Sequence, residues 1–343
     1  MPFLTVEKLI IAFNKLSAFL ASPGPEFRDL MASAPNHNAW FTPAEVERSI
    51  TALHEMLNPA DLAAWFETIS ISSTPKKIGL ILAGNIPLVG FHDVLCVLAT
   101  GNIALIKLSS SDNKLLPALL SELVKYEPLL ADHIEYTERL KDFDAIIATG
   151  SNNTSRYFDY YFGKVPNIIR KNRNSVAVLS GKESKDEIEL LGHDLFDYFG
   201  LGCRNVSKIY LPEDYEIKDF FEPLESFKGI FNHFKYNNNY DYNKSIYLVN
   251  LAEHYDNGFL LLKPETALSS PLAVLYYENY TALDEVEQVL RENEENIQCV
   301  VSSLPLNIPS GTLAFGAAQH PKLWDYADHV NTIEFLKGLN VSL

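Results

Sequence analysis

Short apolar runs alternate with amphipathic stretches from Lys77 onward, whereas the first 70 or so residues carry only helix-spaced apolar positions. In that opening part Thr42-Pro43-Ala44-Glu45 supplies a cap, a first-turn proline and a capping-box acid, and Asn58-Pro59 opens a further helix in the same way. KIGLILA then reads as a strand, IPLVGFHDVLCVLAT as a helix, NIALIKL as a strand, and SDNKLLPALLSELVKY as a helix capped by Ser or Asp. HIEYTE and DAIIAT read as further strands. Strand and helix in alternation predict βαβ units, hence a parallel sheet whose ligands sit at the carboxyl ends of its strands. A second block offers SVAVLS, SKIYLP, SIYLVN, FLLLKP, LAVLYY and IQCVVSS as strands. The pattern predicts an α/β protein of two lobes behind an N-terminal helical lead-in.

Composition narrows the partners. The 343 residues are 47% hydrophobic, enough for a large core, and the formal charge of -16 disfavours nucleic acid and anionic membranes. No run approaches the roughly 18 uninterrupted apolar residues of a membrane span, and Glu7, Lys8 and Lys15 break up the apolar N-terminus at helical spacing. Three scattered cysteines without a CxxC pair fit neither a disulfide framework nor a zinc site, so a soluble, cytoplasmic protein without a metal is expected. There is no GxGxxG and no P-loop.

Cys203, in YFGLGCRNVSKIYLP, is the candidate nucleophile. Glycines at 200 and 202 permit a tight backbone turn beside the sulfur, and Arg204 adjoins it. A thiol reacts as thiolate, which nearby cations and backbone N–H dipoles favour, while a buried packing cysteine is the alternative. Cys96 and Cys299 have apolar neighbours and read as core.

GLGC followed by RNVSKIYLPEDYEIKDFF resembles the catalytic-cysteine segment of the aldehyde dehydrogenase superfamily. LILAGNIPLVGFHDVLCVLATGNIALIKLSSS is similar to its Asn-x-Pro and Gly-Asn-strand-Lys segments, and DAIIATGSNNTSRYF to its Thr-Gly-Ser turn. FGAAQHPKLWDYADHVNTIEFL resembles its Phe-Gly segment and terminal strand. The likeness runs from about residue 78 to the C-terminus in unbroken order, and is closest to the short acyl-CoA reductase branch, which includes the fatty-acid reductase of bacterial luminescence systems.

The resemblance implies a Rossmann-like cofactor domain over 1–172 with the helical lead-in, a catalytic domain over 173–315, and a return segment over 316–343 whose strand NTIEFL would pair in a homodimer. It gives Cys203 the role of acyl-accepting nucleophile and Asn85 that of oxyanion donor. Lys107 would hold the adenosine ribose, Gly150 and Ser151 the diphosphate, and Phe315 would lie near the nicotinamide. Packing or capping is the alternative at each of these positions. Ser110, three residues beyond the lysine, stands where NAD-preferring members carry an acid, so a 2′-phosphate is tolerated and NADPH is expected as readily as NADH.

One departure changes the expected reaction. Oxidising members carry upstream of the cysteine a glutamate that activates water, and here NIIRKNRNS, residues 167–175, holds no carboxylate. A slowly hydrolysed acyl-enzyme suits thiol exchange, so the expected activity is NAD(P)H-dependent reduction of an acyl thioester, a fatty acyl-CoA by family analogy, to the aldehyde, with a partner acyl-transfer enzyme as an alternative to the homodimer. An oxidising dehydrogenase recruiting Glu183 or Glu265 as base, and a non-catalytic scaffold, are the alternatives. His92 and His193 read as satisfied helix histidines; His320, just after the Phe-Gly segment, is the better candidate for a general acid or a partner of the cofactor phosphate, with a satisfied histidine as the preferred alternative.

Overall fold

A computed structural model describes residues 3–150 and 152–339. The chain divides into two units, one formed by residues 1–172 with 320–343 and the other by 173–319.

The first unit opens with four helices, α1 (Val6–Ala21), α2 (Pro25–Ser33), α3 (Pro43–Met56) and α4 (Pro59–Glu67). The Thr42 hydroxyl accepts from Glu45 N and the Asn58 carbonyl oxygen from Ala60 N, so both caps arise where the sequence predicts them. Next come β1 (Lys77–Ile81), α5 (Phe91–Ala99), β2 (Ile103–Lys107), α6 (Leu115–Tyr126), β3 (Ile134–Tyr136), β4 (Ala145–Thr149), α7 (Asn152–Phe162) and β5 (Asn167–Arg170). The five strands are parallel, in the order β3-β2-β1-β4-β5. Strand order therefore reverses between β1 and β4, the kind of switch point at whose carboxyl ends open α/β sheets bind ligands. Ile78, Leu80 and Ile106 are fully buried in a core that also takes Phe13, Leu16, Ile50 and Phe91 from the helices. Each such side chain contributes on the order of 1.5–3 kcal/mol.

The second unit holds β6 (Asn174–Val178), α8 (Lys185–Phe196), β7 (Val206–Pro212), α9 (Ile217–Phe221), α10 (Phe234–Val249), β8 (Tyr255–Asp256), β9 (Leu261–Pro264), β10 (Val274–Tyr280), α11 (Leu283–Glu292) and β11 (Ile297–Val301). Its sheet runs β11-β6-β7-β10-β9-β8, parallel except for the β8–β9 pair. The chain then returns to the first unit with α12 (Thr332–Gly338). No described helix is long and apolar enough to cross a membrane.

Several expectations are corrected. SIYLVN is the end of α10, because Tyr236, Tyr240, Asn243 and Tyr247 form a buried stripe at helical spacing through the Asn/Tyr-rich tract. NTIEFL is α12, not a strand. The Asn331 side chain caps it at Glu334 N, and Ile333 and Leu336, three apart, are the buried pair. The strand expected to pair in a dimer is thus absent from this segment. Residues 86–90 are turn, so α5 starts only at Phe91, and NIIR forms the unanticipated strand β5. At α6 the residue before the helix, Lys114, makes no cap bond; the buried Asp112 accepts from Leu88 N at 2.8 Å and also bonds the backbone of Leu115 and Leu116 in the first turn.

Return of the chain to the first unit is secured by polar contacts. His92 Nε2 pairs with Leu323 O at 2.9 Å, Trp65 Nε1 donates to Tyr326 Oη at 3.0 Å, and Lys322 Nζ to Asp61 at 2.8 Å. Beneath them Arg170 donates to Asp93 Oδ2 at 2.6 Å and to Thr332 Oγ1 at 3.1 Å, with both charged groups buried. Burial opposes the guanidinium charge, and Asp93 more than offsets it, leaving the Arg170 pKa raised.

Candidate active site

In the first unit, four predicted residues meet at the carboxyl ends of adjacent strands. Asn85 is exposed on the loop after β1, Lys107 is exposed at the end of β2, Ser110 is exposed on the loop beyond it, and Gly150 directly follows β4. Leu82 N donates to Lys107 O at 3.3 Å, which joins the first two loops, and a Cβ on Gly84 would overlap Ser109. Gly150 has a steric reason to be glycine, since a Cβ there would lie 2.9 Å from Phe158 and 3.0 Å from Thr154 as α7 folds against it. Ser151 lies outside the described residues.

The second unit presents Cys203. Helix α8 ends at Phe196, and Tyr198, Phe199 and Gly200 then take φ values of 55°, 58° and 76°. Two side-chain-bearing residues in the left-handed region cost on the order of 1–2 kcal/mol each, and packing holds them there. Tyr198 and Phe199 are buried, the latter with its ring centroid 4.3 Å from that of His233. Strain of this kind, over-determined by its surroundings, is characteristic of functional segments. Beyond it Asn205 N donates to Gly202 O at 3.1 Å, closing a β-turn with Cys203 and Arg204 at its centre. Ser175 Oγ donates to Cys203 O at 2.9 Å, and the Arg204 guanidinium lies 3.3 Å from Cys299 Sγ. The Cys203 residue is exposed on this tied-down turn, whereas Cys96 and Cys299 are buried. Burial pushes the Cys96 thiol well above its ordinary pKa, which keeps it protonated and inert.

Lys208 and Asp194 escaped the sequence reading. Fully buried on β7, Lys208 donates to Thr266 O at 2.8 Å and to Glu278 at 2.6 Å, fixing the loop after β9. Asp194, fully buried on α8, accepts from Gly316 N at 2.7 Å and Ala318 N at 2.9 Å. Phe315 beside them packs in the second-unit core at 8% exposure. His193 pairs with Asp197, and His320 with Glu55.

Burial raises the Asp194 pKa from 3.8 to about 6, against the two backbone N–H groups that lower it. The folded protein therefore binds this proton more tightly than the unfolded chain, so the contribution to stability is complete below pH 3.8 and lost as pH rises through about 6. Asn at this position does not titrate. The stability of Asp194→Asn relative to wild type is expected to rise by up to about 3 kcal/mol between pH 3.5 and 7, read by urea unfolding under far-UV circular dichroism. A pH-independent difference would contradict the assignment.

Residues 54–214 match the family model described as Acyl-CoA reductase (LuxC), a span that includes Asn85, Lys107 and Cys203. No curated protein matches the chain. Among solved structures it is similar to aldehyde dehydrogenase 21 of Physcomitrella patens in complex with succinate, at TM-score 0.67 and 12% identity over 98% of this chain and 84% of that one. It is similar also to indole-3-acetaldehyde dehydrogenase of P. syringae with NAD+ and IAA, at TM-score 0.65 and 12% identity over 87% and 72%. The Mycobacterium tuberculosis aldehyde dehydrogenase complexed with NAD+ gives TM-score 0.61 and 13% identity over 84% and 71%. The fold is that of the aldehyde dehydrogenases. Within that fold, residues 54–214 are similar to the acyl-CoA reductases of the matching family model.

Proposed function

We propose that the protein reduces an acyl thioester, a fatty acyl-CoA, to the aldehyde. The observation that carries this reading is the exposed Cys203 on its tied turn together with the absence of any carboxylate from residues 167–175. The two acids that could replace the base are engaged. Glu183 accepts from Ser180 N, Ser180 Oγ and Gly181 N at 2.6–2.9 Å. Glu265 is hydrogen-bonded to Lys263 at 2.8 Å, which holds its carboxyl below the usual range.

A dinucleotide fits the first unit. The switch point between β1 and β4 opens beside Gly150 and the N-terminal end of α7, with Lys107 and the Ser110 hydroxyl exposed on the adjoining strand and loop. Ser110 brings no negative charge against a 2′-phosphate, so both NADPH and NADH are accepted.

The Cys203 thiolate attacks the thioester carbonyl, with Asn85 assigned by resemblance to the developing oxyanion, and the first thiol departs carrying a proton. A reduced nicotinamide, when bound, supplies hydride to the acyl carbon. Collapse of the resulting Cys203 thiohemiacetal breaks the C–S bond and releases the aldehyde, its hydroxyl proton passing to solvent or sulfur. Incubation with a panel of acyl-CoAs, without nicotinamide, is expected to yield a stable protein adduct of acyl mass by intact-mass spectrometry. Absence of an adduct with every donor would overturn the reading.

A further inference from the structure

We propose that Asn205 is the positioning residue of Cys203, an inference that rests on reading Cys203 as the nucleophile. The Asn205 side chain is buried, at 4% exposure, and both ends of its amide are used. Its Oδ1 accepts from Gly202 N at 2.8 Å, while its own backbone N–H returns a bond to Gly202 O at 3.1 Å. The turn carrying Cys203 is thus closed from both sides by one residue. Its Nδ2 donates to Asp194 O at 3.1 Å and Asp197 O at 2.9 Å, carbonyls at the C-terminal end of α8. Such carbonyls lack partners within a helix and are costly to bury unpaired.

Asn205 therefore couples the end of a packed helix to Gly202, the residue preceding Cys203, across the strained Tyr198–Gly200 segment. No other amino acid offers an acceptor and two donor hydrogens at this reach: aspartate lacks the donors, serine the length, and glutamine places them one bond too far. The carboxylate of Asp194 extends the same connection to the backbone of Gly316 and Ala318. The nucleophile's turn is held by a side chain two positions along the chain, leaving the thiol itself exposed.

Asn205→Ala is the test, with Asn243→Ala as the matched control, since Asn243 Nδ2 donates to Leu272 O from a similarly buried site in the same unit. Two quantities are read on folded protein: the single-turnover rate of acylation by acyl-CoA, and the pH profile of Cys203 alkylation by iodoacetamide, located by peptide mass. Asn205→Ala is expected to slow acylation about 10- to 100-fold and to shift the alkylation midpoint of Cys203 from that of wild type. Asn243→Ala is expected to lose stability while leaving both quantities as in wild type. Should Asn205→Ala not fold, Asn205→Asp keeps the Gly202 acceptor, removes the donors, and is read in the same way.

Acylation within twofold of wild type with a superimposable pH profile would reduce Asn205 to a stabilising residue. If wild type is acylated by no donor, the reading of the reaction fails, and the alkylation profile alone decides the role of Asn205: a shifted midpoint upholds it and an unshifted one overturns it.

Discussion

Cys203→Ala is expected to abolish the acyl adduct and to lower thioester reduction by about 10^4-fold or more, the scale seen when a covalent nucleophile is removed. The fold should tolerate the change. Cys203 is exposed, and its turn is held by Ser175 at the Cys203 carbonyl and by Asn205 at Gly202, bonds that do not involve the thiol. Surface substitutions of this kind usually stay within about 0.5 kcal/mol. Cys96→Ala is the informative companion, because its thiol is buried and kept protonated; it should retain the adduct. Intact mass and nicotinamide oxidation on the same preparations separate the outcomes. An adduct persisting in folded Cys203→Ala would remove the nucleophile assignment.

The largest stability effect is expected at Arg170. Arg170→Ala leaves the Asp93 carboxylate buried without its 2.6 Å partner and deletes the bond to Thr332. Breaking a buried pair in this way costs on the order of 3–5 kcal/mol. Replacing both members, as in Arg170→Met with Asp93→Leu, should recover much of the loss, since no orphaned charge then remains. Tryptophan fluorescence in urea is a selective readout, because Trp40, Trp65 and Trp324 all belong to the first unit. An unchanged fluorescence midpoint in Arg170→Ala would show that the pair carries no net stability.

The parallel sheets were legible because their strands are short runs such as KIGLI, IALIK and AIIAT, apolar on both faces and flanked by helix signals. Tyrosine hid α10. Its buried stripe consists of three tyrosines and an asparagine, which a hydropathy pattern scores as polar, so only the apolar end SIYLVN stood out. In NTIEFL the pairs Ile333/Phe335 and Ile333/Leu336 fit strand and helix respectively, and the deciding event is the Asn331 cap. Cys203 stood out as a candidate from its glycines and from resemblance, and the structure exposes it. Asn205, Asp194 and Lys208 did not, since each acts through backbone atoms brought near it by the fold, as distant as residue 316 from residue 194.

The first unit is assembled from two stretches of chain, with the second unit's 173–319 between them. During synthesis the later unit is therefore contiguous and complete before the earlier one can close, because Thr332, the Arg170 partner, leaves the ribosome after all of it. Until then the Arg170–Asp93 pair and the α5 face that receives Leu323 lack their covering segment. Translation thus imposes an order in which the unit carrying Cys203 is complete first and the unit with the β1–β4 switch point is sealed last.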